Sequence, residues 1–197
     1  MITKADIDLK VLTFSTNNEK KNTFSILKDF FISSNCSRLR SKSNNHIQFH
    51  HTLKNYVQFR TELLEITDYT KDYEFNQYVD TILVFIDLED PELKVKLNSI
   101  LAYLYQMCDL GKYNNLVGIF FIFIEGKNME YMKDIKKKVN NKMKEYFKGV
   151  EDMVKFVKLN DKNSYDSIIT EAINNKADKE GIFLSNNNMC ESNCLII

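Results

Sequence analysis

Two uninterrupted apolar runs constrain the fold of this chain more than any other feature of its sequence. They are TILVFID at 81–87 and VGIFFIFI at 117–124. Apolar runs of this length without alternation are typical of strands that are buried on both faces, which occur mainly in parallel sheets. Neither run is long enough to span a bilayer. The chain is therefore expected to form an α/β domain around a buried sheet.

Segments with helical periodicity separate the apolar runs. After 81–87, the sequence EDPEL predicts a helix start, because Asp90 suits the N-cap and Pro91 suits the first helical position. Apolar residues then recur every three or four positions from Leu93 to Leu104. The same patterns predict further helices at 23–32, 135–147 and 165–173, and further strands at 9–14, 47–52, 56–66 and 154–159. The polar segment 33–45 is predicted to be a loop.

The order of these elements predicts a three-layer α/β fold. A mostly parallel sheet of about six strands, with helices on both faces, accounts for the alternation of strands and helices. The strands at 47–52 and 56–66 are expected to form an antiparallel hairpin. The 197 residues suffice for one core, so one domain is expected at 1–175, followed by a flexible tail at 176–197. Ligands of such sheets bind at the carboxyl ends of the strands.

Composition argues against several classes of function. Lys and Arg total 27, as do Asp and Glu, so no overall charge attracts the chain to nucleic acid. The first residues, MITKADIDLK, lack the apolar segment of a secretory signal, so Cys36 and Cys108 are expected to be reduced thiols in the cytosol. His50 and His51 would point to opposite faces of a strand, and no cluster of ligands predicts a metal site.

The sequence ends in CESNCLII, in which Cys194 and the residues after it fit the C-a-a-X pattern for prenylation. Because one lipid gives only marginal membrane binding, a second membrane signal is expected. Cys190 is a candidate acylation site for this purpose, since Lys176 and Lys179 form only a weak basic stretch. The alternative is that the cysteine at this position is accidental.

The layout and the C-a-a-X tail together resemble the Ras/Rho superfamily of small GTPases. YVDTILVFIDLEDPEL is similar to the fourth strand and the start of the third helix of that family, and ELLEITDYT to the strand that leads into its D-x-x-G motif. The resemblance covers about residues 8–175 and the tail. It implies a P-loop small G-domain fold, GTP or GDP bound with magnesium, and effector or regulator proteins as partners.

The phosphate loop departs from the pattern of that family. G-x-x-x-x-G-K-[ST] aligns with STNNEKKN, so Ser15 and Lys20 replace the two glycines. Without the glycines, backbone N–H groups cannot approach the phosphates as closely. Lys21 matches the lysine of the motif, whereas Asn22 replaces the hydroxyl that binds Mg²⁺ and Thr23 lies one residue late.

The other two motifs are also incomplete. Asp68 matches the Asp of D-x-x-G, but Lys71 stands at its glycine, and no Gln follows to orient the attacking water. The base-binding N-K-x-D is replaced by EGKNM, in which Lys127 and Asn128 are not followed by an Asp. Each lost contact is worth roughly 1.5–3 kcal/mol, so the loss of several lowers affinity by roughly four decades.

These features predict a lipid-anchored small-GTPase-like protein whose GTP binding and hydrolysis are weak or lost. It would act through protein contacts on the cytoplasmic face of the plasma membrane or an endomembrane, with no cofactor and no catalytic residue. The alternative is a divergent but active GTPase that binds GTP or GDP with magnesium through Lys21, Asn22 or Thr23, and Asp68. A third possibility is an unrelated α/β domain whose tail motif is accidental.

Overall fold

A computed structural model shows a mostly parallel sheet with helices on both faces. It describes residues 6–16, 38–43, 46–52, 58–67, 79–109, 114–124, 129–146, 151–159 and 162–181. The strands are β1 (Asp6–Ser15), β2 (Arg38–Ser43), β3 (His46–Thr52), β4 (Gln58–Glu65), β5 (Thr81–Asp87), β6 (Gly118–Ile124) and β7 (Val154–Leu159). The described helices are α1 (Leu93–Asp109), α2 (Met129–Tyr146) and α3 (Lys162–Lys179).

The strands form one sheet in the order β2-β3-β4-β1-β5-β6-β7. Neighbouring strands pair in parallel across β4, β1, β5, β6 and β7. By contrast, β3 is antiparallel to both β2 and β4. The two apolar runs form β5 and β6, which both have neighbours on either side. The predicted fold class and the predicted hairpin of β3 and β4 are therefore confirmed.

The prediction of a loop at 33–45 is wrong for residues Arg38–Ser43. These residues form β2, which pairs with β3 from Arg38 opposite His50 to Ser43 opposite His46 and makes the sheet seven-stranded. RLRSKS contains too few apolar residues to predict a strand. An edge strand is held by backbone pairing along one side only, so its composition is weakly constrained.

Two apolar layers fill the space between the sheet and the helices. The layer under α1 and α2 contains Phe14 and Val84, and the layer under α3 contains Val11 and Phe85. Successive residues of β5 alternate between these layers, and both layers are buried. This burial on both faces explains why the sequence of β5 is apolar without interruption.

The helix ends differ from their predicted positions by a few residues. α1 begins after the predicted cap, where Asp90 Oδ1 accepts a hydrogen bond from the Glu92 N–H at 2.8 Å and Oδ2 accepts one from Lys96 Nζ at 2.9 Å. α3 continues to Lys179. Residues 176–179, which the sequence predicts to begin the flexible tail, are therefore helical. The helix predicted at 23–32 lies outside the described residues.

A buried ion pair joins α3 to the start of β5. Asp80 is 2% exposed, and its carboxylate accepts hydrogen bonds from Lys176 Nζ at 2.7 Å and from the Lys10 N–H at 2.8 Å. Burial disfavours the charged ammonium, but hydrogen bonds from Lys176 to Asp80 and Glu180 outweigh it and raise the pKa of Lys176. The last turns of α3 are therefore held against β1 and β5.

Substitution Lys176→Met should lower the free energy of unfolding by about 3–5 kcal/mol, because it leaves the buried Asp80 carboxylate without its cation. Urea denaturation followed by circular dichroism measures the change. The control is Lys142→Met, which removes an exposed pair with Glu145 and should leave the midpoint nearly unchanged. Equal shifts for the two variants would contradict a stabilising role for the Asp80–Lys176 pair.

Candidate functional site

The carboxyl ends of β1, β4 and β5 meet at one edge of the sheet, where the sequence predicts the site. The parallel register places Thr13 beside Glu65, and Ser15 beside Phe85. The described part of the candidate site therefore comprises residues 15–16, 65–67 and 87–90. These segments come from three neighbouring strands, which is the arrangement expected for a ligand site in a parallel sheet.

Thr16 fastens the end of β1 to the end of β5. Its backbone N–H donates a hydrogen bond to the Phe85 carbonyl at 3.0 Å, and its Oγ1 accepts one from the Asp87 N–H at 2.9 Å. The side chain is fully buried. The Thr16 N–H is therefore engaged within the sheet and does not face a ligand. In the sequence Thr16 falls at a variable position of the phosphate-loop pattern, and no local pattern predicts this contact.

Ser15 stands where the phosphate-loop pattern has its first glycine, and it is buried, with 2% of its surface exposed. By strand alternation its side chain lies on the α3 face of the sheet, the same face as Thr13. The Thr13 hydroxyl donates to the Leu64 carbonyl at 3.4 Å. The Ser15 side chain thus occupies buried space at the end of β1 that a glycine would leave open.

Glu65 brings a buried carboxyl group to the same edge of the sheet. It is 8% exposed, and burial, which disfavours the ionised form, raises its pKa. Because its register partner Thr13 is two residues before Ser15, Glu65 lies roughly 7 Å from Ser15 along the strand direction. The only sequence signal for it is an acidic residue within the apolar stretch LLEI.

The acidic residues after β5 serve local structure. Asp87 Oδ1 accepts a hydrogen bond from the Glu89 N–H at 2.9 Å, and Asp90 caps α1 as predicted. Among the residues that the structure describes, no three His, Cys, Asp or Glu side chains are grouped so that they could hold a metal ion. None of the described helices is long and apolar enough to cross a membrane.

Most of the predicted site residues lie outside the described residues, so their grouping stays a prediction. They are Lys20, Lys21, Asn22 and Thr23 of the phosphate loop, Asp68 and Lys71 of D-x-x-G, Lys127 and Asn128 of the base site, and the candidate lipidation sites Cys190 and Cys194. Of the predicted site residues, Ser15 at the first loop position is the one that the structure describes.

Two solved structures with a similar fold are those of translation elongation factor SelB from Methanococcus maripaludis. The structure in complex with the GTP analogue GppNHp covers 87% of this chain with a TM-score of 0.52 and 10% sequence identity. The apo form covers 85% of the chain with a TM-score of 0.54 and 15% identity. This chain spans only 35% and 36% of those two SelB chains. No family model and no curated protein matches the sequence.

At these identities the similarity shows the fold alone. The chain has the α/β fold of P-loop GTPases, which the Ras/Rho resemblance implied, and this coarser expectation is confirmed. Because SelB is a translation factor, the similarity does not single out the Ras/Rho branch.

The raised pKa of Glu65 predicts how stability depends on pH. The folded state holds this proton above the ordinary value of 4.5, so the contribution of Glu65 to stability is present below that pH and is lost as pH rises through the folded-state pKa. As the pH rises from 4.5 to neutrality, the free energy of unfolding of Glu65→Gln should therefore fall less than that of the unaltered chain. Thermal unfolding across this pH range measures the difference.

The exposed residue Glu89 provides a matched control for this measurement. Glu89→Gln removes the same charge at the same edge of the sheet, and its stability should follow the pH dependence of the unaltered chain. Superimposable curves for Glu65→Gln and the unaltered chain would show that the Glu65 carboxyl is not held protonated by burial.

Proposed function

We propose that this chain is a lipid-anchored small-GTPase-like signalling protein of the Ras/Rho type, with weak or lost GTP binding and hydrolysis. It acts through contact with effector or regulator proteins at the cytoplasmic face of a membrane. The P-loop GTPase fold and the C-a-a-X pattern around Cys194 support this proposal. The observation that carries the loss of nucleotide binding is the buried Ser15 at the first glycine position of the phosphate loop.

Two features of the carboxyl edge act against a bound triphosphate. A buried serine side chain stands at the first glycine position, and the Thr16 N–H is already bonded to the Phe85 carbonyl. Lys20 at the second glycine adds a further obstacle. Since each good contact to the ligand is worth roughly 1.5–3 kcal/mol, affinity for GTP falls to roughly micromolar or weaker.

The incomplete D-x-x-G motif removes the means of switching. Lys71 stands at the glycine whose N–H would sense the γ-phosphate, and no Gln follows Asp68. A ligand shifts a conformational equilibrium only if its affinity differs between the two states. The protein would therefore act in one fixed state, as an adaptor or a decoy for partners of an active GTPase.

Titration of fluorescent GTP or GDP in the presence of Mg²⁺ tests the proposal directly. The unaltered chain should bind no more tightly than roughly micromolar. Ser15→Gly/Lys20→Gly/Asn22→Ser restores both glycines and the Mg²⁺-binding hydroxyl, and it should bind at least about tenfold more tightly, equivalent to one good contact. Submicromolar binding by the unaltered chain would refute the loss of nucleotide binding.

The alternative function, a divergent but active GTPase, is favoured by Lys21 and by the similarity to the GppNHp complex of SelB. In that case Lys21, Asn22 or Thr23, and Asp68 hold the nucleotide and magnesium in an altered geometry. Lys21→Ala should then abolish binding and hydrolysis. Under the main proposal the same substitution changes neither measurement, so this variant separates the two functions.

Substitution of the C-terminal cysteines tests the lipid anchor. With a labelled isoprenoid donor, the unaltered chain should incorporate label and enter the membrane fraction, whereas Cys194→Ser should do neither. Cys190→Ser should incorporate the isoprenoid normally but dissociate from membranes faster, because one lipid holds weakly. Unchanged membrane partition of Cys194→Ser would show that the tail motif is accidental.

A further inference from the structure

α2 carries a row of lysine side chains for which the described part of the chain shows no ion-pair or hydrogen-bond partner. Lys137 and Lys144 lie four and eleven residues after Lys133. The three lysines therefore share one side of the helix. They are exposed and lie opposite Ile135 and Val139, which are buried against the sheet. Within the part of the chain that the structure describes, none of the three forms an ion pair or hydrogen bond.

Two other lysines of α2 have partners within the domain. Lys136 Nζ lies 5.6 Å from the ring centroids of Phe123 and Phe156. Lys142 pairs with Glu145 at 2.9 Å, so this exposed carboxylate is neutralised locally. Asp134 is an exposed acid of the same helix, so the exposed charges of α2 are basic in excess but not exclusively, although the whole chain has no net charge.

α1 lies beside α2 in the same layer and adds exposed apolar surface. Lys94 Nζ is 5.7 Å from the Tyr131 ring at one end of the helix pair, and the rings of Tyr105 and Tyr146 are 4.4 Å apart at the other end. Val95 is 68% exposed and Tyr105 46%, and they are the exposed large hydrophobic side chains of the described residues. Both lie on α1, which packs in the same layer as α2.

This combination of side chains suits the surface of an anionic bilayer. Lysines near such a surface are attracted by the anionic headgroups, and Tyr is favoured where the headgroups meet the hydrocarbon. Partial burial of the exposed Val95 among lipids is favourable because it removes apolar surface from water. A polyanion free in water offers Val95 no apolar contact. The apolar component therefore favours a membrane over a soluble acidic ligand.

The lysines closest to the expected lipid anchor are engaged in other contacts. Lys176 pairs with Asp80, and Lys179 Nζ donates a hydrogen bond to the Asn114 carbonyl at 3.0 Å. These two lysines therefore do not supply a second membrane signal beside the anchor. The thirteen residues from 182 to Cys194 can extend over at most roughly 45 Å, which exceeds the thickness of roughly 25 Å from α3 through the sheet to the outside of α2.

We propose that the α1–α2 face, defined by Lys133, Lys137, Lys144, Val95 and Tyr105, docks flat onto the surface of an anionic phospholipid bilayer. The inference rests on the proposed function, because the lipid-anchored tail would hold the chain at that bilayer. The face itself acts through headgroup contacts and needs no lipid modification of the chain.

Vesicle binding by the full chain carrying Cys194→Ser, which cannot be prenylated at that site, tests the proposal. This chain should bind phosphatidylcholine vesicles that contain phosphatidylserine and should not bind vesicles of phosphatidylcholine alone. Adding K133Q/K137Q/K144Q should weaken the partition roughly a hundredfold, because each lysine near the surface contributes about fivefold. The same measurement at raised salt should show weaker binding by the chain with its lysines intact.

A matched charge control uses three exposed cations away from the face. R60Q/K155Q/K179Q removes the same net charge and should weaken the partition by less than about fivefold, the effect of one surface lysine. Equal binding to both kinds of vesicle, or equal losses in the two triple variants, would overturn the proposal. Binding of soluble polyglutamate but not of vesicles would do so too, and would indicate an acidic protein partner. Since the chain under test carries no prenyl group, failure of the proposed anchor does not affect these outcomes.

A single tryptophan reports which face meets the lipid, because the chain contains none of its own. The emission of Tyr105→Trp should shift to the blue on anionic vesicles and be quenched by brominated lipid. Asn174→Trp, exposed on α3 across the sheet, should show neither change. Quenching at Asn174→Trp without quenching at Tyr105→Trp would assign the contact to the opposite face and refute docking through α1 and α2.

Discussion

The parallel pairing of β1 with β4 on one side and β5 on the other determines where the rest of the structure lies. It brings three strand ends to a common edge and directs Phe14 into one apolar layer and Val11 into the other. The helices then cover the two layers because their apolar stripes have no other surface to bury. The candidate site and the α1–α2 face both follow from this central pairing.

The same pairing extends to the edge of the sheet where the candidate site lies. Thr16 continues the contacts between β1 and β5 beyond the last paired residues, because its N–H bonds to the Phe85 carbonyl and its Oγ1 accepts from the Asp87 N–H. The Thr16 N–H therefore stabilises the strand ends, and the buried Ser15 beside it fills space that a glycine would leave open. A ligand at this edge has to bind through groups that the sheet does not already use.

The fold class was predictable from the sequence because burial on both faces makes β5 and β6 continuously apolar, and because Asp90 and Pro91 carry a local helix-start signal. β2 was not predictable, since an edge strand needs no apolar pattern. The roles of Thr16, Glu65 and Asp80 were missed as well. Each depends on a partner at least fifty residues away or on burial by the whole fold, and no local pattern encodes that information.

The Asp80–Lys176 pair also has a mechanical consequence. Lys176 lies just over one helical turn before Gly181, and its partner Asp80 immediately precedes a strand in the middle of the sheet. Tension applied to the chain after Gly181 therefore reaches β5 through a short, charged linkage and does not simply peel α3 from its apolar layer. Pulling α3 away from the sheet therefore requires breaking this ion pair as well as exposing the apolar layer beneath the helix.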